Sequence, residues 1–307
     1  MSQSILRIGS RASRLARAQT EMVAGLLAAA GIASEIVLIK TTGDRILDRP
    51  LADAGGKGLF VKELEEALLT DRIDIAVHSM KDVPVQLPDG LAIGAILPRE
   101  EPQDVLISPL AVSLKELPAE ARVGTSSVRR KAQLLRARPD LRCVLLRGNV
   151  DTRLAKLDAG DMEAIILARA GLKRLGLGDR AANALPTEEW LPSLAQGAVG
   201  IEIRDNDARA RSAVAPLEDE RTAIELCCER AFQAALDGSC RTPIAGLARY
   251  ENGLLSFRGE VLSPDGSDWI ETAFSNRIQY NGKIEADRAG REFGETLKPK
   301  AAGWLAL

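Results

Sequence analysis

The chain has 307 residues, of which 46% are hydrophobic and 27% charged, a composition typical of a folded globular protein long enough for two or three domains. Its 41 basic and 43 acidic residues leave a net charge of −2, so no global field attracts nucleic acid or an anionic membrane. Aromatic residues make up only 3%, too few for the stacking surfaces of single-strand nucleic-acid binders, and we therefore expect neither a nucleic-acid partner nor a membrane partner.

The first hundred residues alternate between strand and helix patterns. Predicted strands at 6–9, 35–39 and 73–77 are separated by predicted helices at 12–30 and 59–70. The segment 41–58, rich in Gly and Asp, is interpreted either as a mobile loop that closes over a site or as an ordinary surface loop. Its run Gly55 to Gly58 is not a P-loop, because Leu51 and Gly58 stand where Gly and Ser or Thr are required.

The same alternation restarts after the charged, proline-bounded segment 98–102. Predicted strands lie at 122–124, 143–146 and 164–167, with predicted helices at 127–138 and 150–157. The apolar run 199–204 is predicted to return to the first lobe as a strand, and two linkers between the lobes would then act as a hinge. The C-terminal part changes to one long helix, 220–235, followed by strand patterns at 247–250, 254–261 and 269–274.

These patterns predict an α/β fold with three domains. The domains are a first α/β lobe at 1–99 with 198–217, a second α/β lobe at 103–194, and a C-terminal α+β domain at 218–307. The N-terminal residues lack the basic and apolar regions of a signal peptide, so we expect a cytoplasmic location.

Polar residues follow the predicted strand 73–77, at the end where open α/β sheets bind ligands. Because Pro84 cannot continue a strand, the chain must leave the sheet just after Asp82, and we predict that Asp82 faces a crevice. The alternative is that Lys81 and Asp82 form a solvated turn.

Three predicted strands lead into helices through turns that carry arginine. The clearest is 124–130 (GTSSVRR), where backbone N–H groups, hydroxyls and two guanidinium groups meet at a helix N-terminus, and 9–13 and 146–153 repeat the arrangement. Helix capping alone would explain the serines but not the paired arginines. Since the arginine fork binds carboxylates and phosphates through two hydrogen bonds, these turns predict an anion site.

The cysteines give little support for a metal site. Cys143, Cys227, Cys228 and Cys240 have no C-x-x-C spacing, and His78 is the only histidine in the sequence, so we predict no metal. Cys240 stands on a predicted turn beside Arg241, where a thiolate would be favoured, although a small buried apolar residue is the simpler interpretation.

Several segments together carry a family resemblance. They are 55–64 (GGKGLFVKEL), 76–84 (AVHSMKDVP), 124–130 (GTSSVRR), 146–150 (LRGNV), 196–200 (QGAVG) and 238–240 (GSC). On these motifs the chain resembles the porphobilinogen deaminase family, also called hydroxymethylbilane synthases, over residues 5 to about 250. Three positions depart from the family pattern: Arg17 replaces an apolar residue, and Ala195 and Ser239 replace glycines.

The resemblance implies two hinged lobes like those of type II periplasmic binding proteins, with a small third domain. It also implies a monomeric enzyme of haem and porphyrin biosynthesis that condenses four porphobilinogen molecules head to tail, releases ammonia at each step and hydrolyses off linear hydroxymethylbilane. The implied primer is a dipyrromethane cofactor, held by Cys240 through a thioether.

Further roles carry over by motif. Asp82 would be the catalytic carboxylate and would also contact the cofactor. The implied cofactor-binding residues are Lys81, Thr125, Ser127, Arg129, Arg130, Arg147, Gly148 and Asn149. The implied substrate-binding residues are Arg11, Ser13, Lys57, Phe60, Arg153, Arg174 and Gln196. Two rival functions use the same arginines: an anion-binding receptor with two lobes would need no cysteine turn, and a phosphate-transferring enzyme is disfavoured by the failed P-loop and the lack of a metal cluster.

Overall fold

The computed structural model describes residues 5–41, 60–236, 242–278 and 282–305. The chain divides into two compact units, Met1–Glu100 with Ala198–Ala223, and Glu101–Gly197 with Ile224–Leu307. Among the described helices, none has both the length and the apolar content needed to cross a bilayer. The further division of the second unit into a lobe and a C-terminal domain stays a prediction.

The described elements follow one another in mixed α/β order. The strands are β1 (Leu6–Arg11), β2 (Ser34–Ile39), β3 (Ile75–Ser79), β4 (Leu91–Ile96), β5 (Asp104–Ile107), β6 (Arg122–Thr125), β7 (Arg142–Leu145), β8 (Ala164–Ala168), β9 (Val199–Arg204), β10 (Ile244–Glu251), β11 (Leu254–Leu262) and β12 (Trp269–Arg277). The helices are α1 (Arg14–Ala29), α2 (Lys62–Leu69), α3 (Val128–Ala137), α4 (Val150–Asp158), α5 (Arg169–Arg174), α6 (Ala208–Val214), α7 (Glu220–Ala235) and α8 (Gly282–Leu305). The predicted α/β class, with a β-rich C-terminal part, is confirmed.

The first unit is organised by a sheet whose described strands have the order β2-β1-β3-β9-β4. Strand β1 runs parallel to β2 and β3, as expected for strands joined through helices, whereas β9 runs antiparallel to β3 and β4. The prediction that 199–204 returns to the first lobe is therefore confirmed. Ile8, Ile75 and Ile201 are fully buried at the centre of this sheet, which forms the core of the unit.

The second unit contains two described sheets. One has the order β5-β8-β6-β7, with β6 parallel to β7 and β8, and β5 antiparallel to β8. The other is the antiparallel meander β10-β11-β12, whose core includes the edge-to-face pair Phe232 and Phe257. Helix α8 packs very closely on α7, because a Cβ atom at Gly290 would overlap the carbonyl oxygen of Cys228.

The sequence patterns missed five of the described strands and helices: β4, β5, α5, α6 and α8. They also placed the strand before Asp82 two residues too early, since β3 ends at Ser79 rather than at residue 77. His78 and Ser79 therefore belong to the strand. The predicted helix at 12–30 begins at Arg14, because the Ser13 side chain accepts a hydrogen bond from the Ala16 N–H and caps the helix.

Ala195, which stands where the family resemblance leads us to expect glycine, has the left-handed φ of +58°. In this region the Cβ of an L-residue crowds the following carbonyl oxygen, and glycine relieves the contact. A hydrogen bond to a distant residue holds the backbone in this conformation: the Ala195 N–H donates to Oε2 of the buried Glu229 at 2.5 Å. Alanine is thus tolerated here at a cost in stability.

We expect Ala195→Gly to raise the free energy of unfolding by about 0.5–1 kcal/mol. Relief of the backbone strain stabilises the folded protein, and the greater entropy that glycine gives the unfolded chain offsets part of this gain. Urea denaturation measures this change. Ala182→Gly is the matched control: Ala182 has the ordinary φ of −65°, so glycine there should destabilise the protein. Equal effects at the two positions would refute strain at Ala195.

Candidate active site

Strand β3 leads directly into the turn that carries Asp82. Residues Met80–Asp82 form a single turn of 3-10 helix, and the Met80 N–H donates to the Ala198 carbonyl at 3.0 Å, immediately before β9. Met80 is buried, whereas Lys81 and Asp82 are half-buried. The turn is therefore anchored on one side and leaves its two charged side chains at the surface of the unit.

Asp82 lies in the wall of a small cavity in the first unit, of about 60 Å³. Three other predicted site residues share the lining: Arg11, Ser13 and Phe60. The Arg11 guanidinium carbon lies 4.1 Å from the centre of the Phe60 ring, a cation–π contact that orients the arginine. The structure thus brings the Asp82 carboxylate to the arginine and the hydroxyl of a turn that is distant in the sequence.

A cluster of buried ionisable groups lies behind this cavity, and the sequence patterns did not reveal it. His78, which also lines the cavity, has its Nε2 2.9 Å from Oε2 of Glu202, a fully buried residue of β9. Glu65 of α2 is also buried, and burial together with the nearby Glu202 raises the pKa of its carboxyl group, although His78 opposes the shift. A helical glutamate gives no local signal that a histidine on a neighbouring strand lies close.

In the second unit the turn between β6 and α3 has the predicted hydrogen bonds of a helix N-terminus. The Thr125 hydroxyl accepts from the Ser127 N–H at 3.1 Å, and the Ser127 hydroxyl accepts from the Arg130 N–H at 3.3 Å. Ser127 is therefore the N-cap of α3. Capping accounts for these two hydroxyls without any ligand.

The side chains of Arg129 and Arg130 turn inward toward Asp104, the first residue of β5. Asp104 Oδ2 lies 2.9 Å from Arg129 Nη1, and Asp104 Oδ1 lies 2.7 Å from Arg130 Nη2. Burial alone would raise the pKa of Asp104, but the two guanidinium groups hold it well below its usual range, so the carboxylate is charged. The sequence patterns missed Asp104, because this charged residue begins a strand of only four residues.

The turn between β7 and α4 positions the remaining arginines of this lobe. Gly148 has a φ of +111°, and a Cβ there would crowd the Thr152 side chain, so glycine is required. Asn149 caps α4 by accepting from the Thr152 N–H at 2.9 Å, and Arg153 Nε donates to the Gly148 carbonyl at 2.9 Å. Arg147 is buried beside this turn.

Arg174 and Gln196 contact the backbone near the boundary of the second unit. Arg174 Nη2 donates to the Gly197 carbonyl at 2.6 Å. Gln196 Nε2 donates to the Pro102 carbonyl at 2.7 Å and to Asp104 Oδ1 at 2.8 Å. Lys57 and Cys240, the other predicted site residues, lie outside the described residues, as does most of the predicted loop 41–58.

The described side chains fit a ligand that carries carboxylates. Arginines stand at the strand-to-helix turns of both units, where backbone N–H groups and the helix dipole add positive potential. Arg129 Nε and Arg130 Nε are buried and have no hydrogen-bond partner within the described parts of the chain. Buried hydrogen-bond donors normally have an acceptor, and a ligand carboxylate could be the acceptor for these two.

The fold is that of an α/β protein with a cavity lined by Asp82, Arg11 and Ser13 in the first unit and arginine-bearing strand-to-helix turns in the second. The family comparisons identify it more closely. The model of the porphobilinogen deaminase dipyromethane cofactor binding domain matches residues 6–212, and that of the porphobilinogen deaminase C-terminal domain matches 223–298. The chain belongs to the porphobilinogen deaminase family.

Curated relatives extend the match over nearly the whole chain. Porphobilinogen deaminase of Nitrobacter hamburgensis is 51% identical over 297 residues, which cover 95% of this chain and 94% of the relative. The chloroplastic porphobilinogen deaminase of Oryza sativa subsp. japonica is 49% identical over 305 residues, covering 97% and 84%. Enzymes of this family condense porphobilinogen into hydroxymethylbilane in tetrapyrrole biosynthesis, so the predicted activity, substrate and dipyrromethane cofactor are confirmed.

Solved structures similar to this chain include periplasmic binding proteins. A nutrient binding protein from Burkholderia cenocepacia bound to methionine is 15% identical, with a TM-score of 0.43, over 69% of this chain and 90% of that chain. A periplasmic substrate-binding protein of an ABC transporter from Coxiella burnetii is 16% identical, with a TM-score of 0.43, over 71% and 94%.

The buried Glu65 predicts an unusual dependence of stability on pH. Because its pKa is raised above the ordinary value of 4.5, its contribution to stability is fully present below that value and is lost as the pH rises through the folded-state pKa. We therefore expect Glu65→Gln to gain stability relative to the parent as the pH rises above 4.5. Urea denaturation across this range measures the difference. The matched control, Glu66→Gln on the exposed face of α2, should run parallel to the parent, and a parallel Glu65→Gln curve would contradict the prediction.

Proposed function

We propose that Asp82 is the catalytic carboxylate with which this chain joins four porphobilinogen molecules head to tail, releases ammonia at each step and then hydrolyses off hydroxymethylbilane. One observation carries the proposal: Asp82 lines the same cavity as Arg11 and Ser13, at the end of a buried strand. A carboxylate and a cation in one cavity suit a substrate that has carboxylates on one side and a pyrrole N–H on the other.

The charge that develops during the reaction explains why a carboxylate is needed. When the C–N bond of porphobilinogen breaks, ammonia leaves with the electron pair, and the positive charge spreads onto the pyrrole nitrogen of the substrate. A fixed carboxylate in a site with little water stabilises that cation and accepts a hydrogen bond from the N–H. Asp82 has this role because its turn is anchored to the Ala198 carbonyl and has little freedom to move away.

The arginines have a separate role in the proposal, which is to bind the acetate and propionate groups. Those of the second unit lie at the start of α3, just before or at the start of α4, and at the end of α5: Arg129, Arg130, Arg147, Arg153 and Arg174. Each pyrrole ring brings two carboxylates, so a chain of rings requires many cations at defined spacings. Lys81, Thr125, Ser127, Gly148, Asn149 and Gln196, with Lys57 and Phe60, complete the proposed binding residues.

The cofactor is proposed to be attached to Cys240 through a thioether. When bound, dipyrromethane supplies the nucleophilic α-carbon to which the first substrate is joined. Two of the three described cysteines, Cys143 and Cys228, are poor alternatives for the attachment, because burial raises the pKa of their thiols. We further propose a monomer in the cytoplasm with three domains, at 1–99 with 198–217, 103–194 and 218–307.

The attachment proposal predicts that the denatured protein is heavier than its sequence by one dipyrromethane. Cys240→Ser should lose this mass, because serine cannot form the thioether. Intact-mass spectrometry measures both proteins, and Cys143→Ser serves as the control that keeps the adduct. An unmodified parent protein with full activity would rule out the assignment.

Removing the charge of Asp82 should lower the turnover number by about 100- to 1,000-fold, the usual cost of losing a preorganised electrostatic group. Asp82→Asn tests this, because the amide keeps the size and one acceptor but offers the cation far less. Asp82→Glu should retain more activity than Asn, since it keeps the charge and displaces it by one methylene. Turnover of porphobilinogen is measured for both, with Asp89→Asn at an exposed position as the control. An Asn variant as active as the parent would refute the role.

A further inference from the structure

The Asp104 carboxylate contacts four donor side chains through hydrogen bonds and ion pairs. Its Oδ1 takes donors from Arg130 and Gln196, at 2.7 and 2.8 Å, and its Oδ2 lies 2.9 Å from Arg129 Nη1 and 3.0 Å from Trp190 Nε1. The residue is 0% exposed. Four donors on two oxygens leave this carboxylate no capacity for a ligand, so it acts only on its neighbours.

The same contacts fix the two guanidinium groups. Arg129 Nη1 also donates to Gln133 Oε1 at 2.8 Å and to the Leu191 carbonyl at 3.1 Å, and Arg130 Nη1 donates to the Ile166 carbonyl at 2.9 Å. These partners belong to α3 itself, to the segment before β9 and to β8. Each guanidinium group is therefore held through its Nη atoms. Its Nε is a buried donor without a hydrogen-bond partner among the described residues, and a ligand oxygen could accept from it.

A second buried acid extends the same network. Glu260 of β11 pairs with Arg136 at 2.7 Å and accepts from Gln133 Nε2 at 2.6 Å, and Gln133 in turn contacts Arg129. The buried cations Arg129 and Arg130 are thus matched by two buried anions, and the partly exposed Arg136 also lies 3.7 Å from Glu271. Because the charges of the network are balanced, what the two arginines lack is a hydrogen-bond acceptor for each Nε.

We infer that Asp104 is a positioning residue that holds Arg129 and Arg130 for binding a ligand carboxylate. Asp104 contacts both guanidinium groups and offsets the repulsion between them, so both side chains keep the conformation in which Nε has no partner among the described residues. The inference rests on the proposed function, in which these arginines bind the carboxylates of the pyrrole chain.

A double-mutant cycle tests the inference. Arg130→Gln removes one arm of the site, and Asp104→Asn removes the charge that orients both arms. We expect each single change to raise the KM for porphobilinogen at least about tenfold and to lower the fraction of purified molecules that carry the cofactor mass. Asp104→Asn added to Arg130→Gln should change either value by less than about threefold, because the arginine that it orients is already absent.

The matched control is Asp140→Asn. Asp140 forms a two-pronged ion pair with Arg138 just beyond the end of α3, so the control breaks an aspartate–arginine pair of the same unit that has no proposed ligand role. Its KM and its cofactor fraction should equal those of the parent. Urea denaturation of every variant establishes that the compared proteins are folded.

The possible outcomes separate the inference from the proposed function. If Arg130→Gln leaves both KM and cofactor fraction unchanged, the arginine site itself is wrong. If Arg130→Gln has its effect but the double variant shows the product of the two single effects on KM and cofactor fraction, only the positioning role is overturned. The same holds if Asp104→Asn leaves KM unchanged or lowers it. Should Asp104→Asn fail to fold, Asp104→Glu takes its place in the cycle: it keeps the charge, displaces the arginines, and should raise KM with the same lack of additivity.

Discussion

The insertion of β9 between β3 and β4 is the constraint on which the first unit depends. This strand arrives late in the chain, and it pairs antiparallel with both neighbours. The residue just before it, Ala198, accepts the hydrogen bond that anchors the turn of Asp82, and Glu202 within it contacts His78. The position of the proposed catalytic carboxylate therefore depends on a segment that returns to the first unit only after residues 101–197 of the second.

In both units, a buried acidic residue contacts a side chain from a distant segment of the chain. Glu202 contacts His78 in the first unit, and Asp104 contacts Arg129 and Arg130 in the second. Such acids are costly to bury and are stable only when their partners are fixed. These pairings in return fix the positions of His78, Arg129 and Arg130.

The sequence predicted those features that are encoded locally. The alternation of apolar runs and capping residues located most strands, and the motifs located Asp82 and the arginine turns. Strand β5 was missed because it is short and begins with a charged residue, and α8 because Pro299 and four glycines between 282 and 303 weaken its helical pattern. Asp104 and Glu202 were missed as partners because a pairing across many residues of chain leaves no periodic signal. Nothing in the sequence around either residue indicates which side chain the fold places beside it.

The surroundings of the cysteines bear on how the chain reacts with electrophiles. Cys228 is fully enclosed between α7 and α8, where burial and the neighbouring Glu229 raise its thiol pKa, and burial likewise raises the pKa of Cys143. Both sulfurs stay protonated at neutral pH, and a protonated thiol is a poor nucleophile. Within the described parts of the chain, the fold thus lowers the reactivity of these two sulfurs toward electrophiles, and burial contributes chemoselectivity by suppressing unwanted nucleophiles.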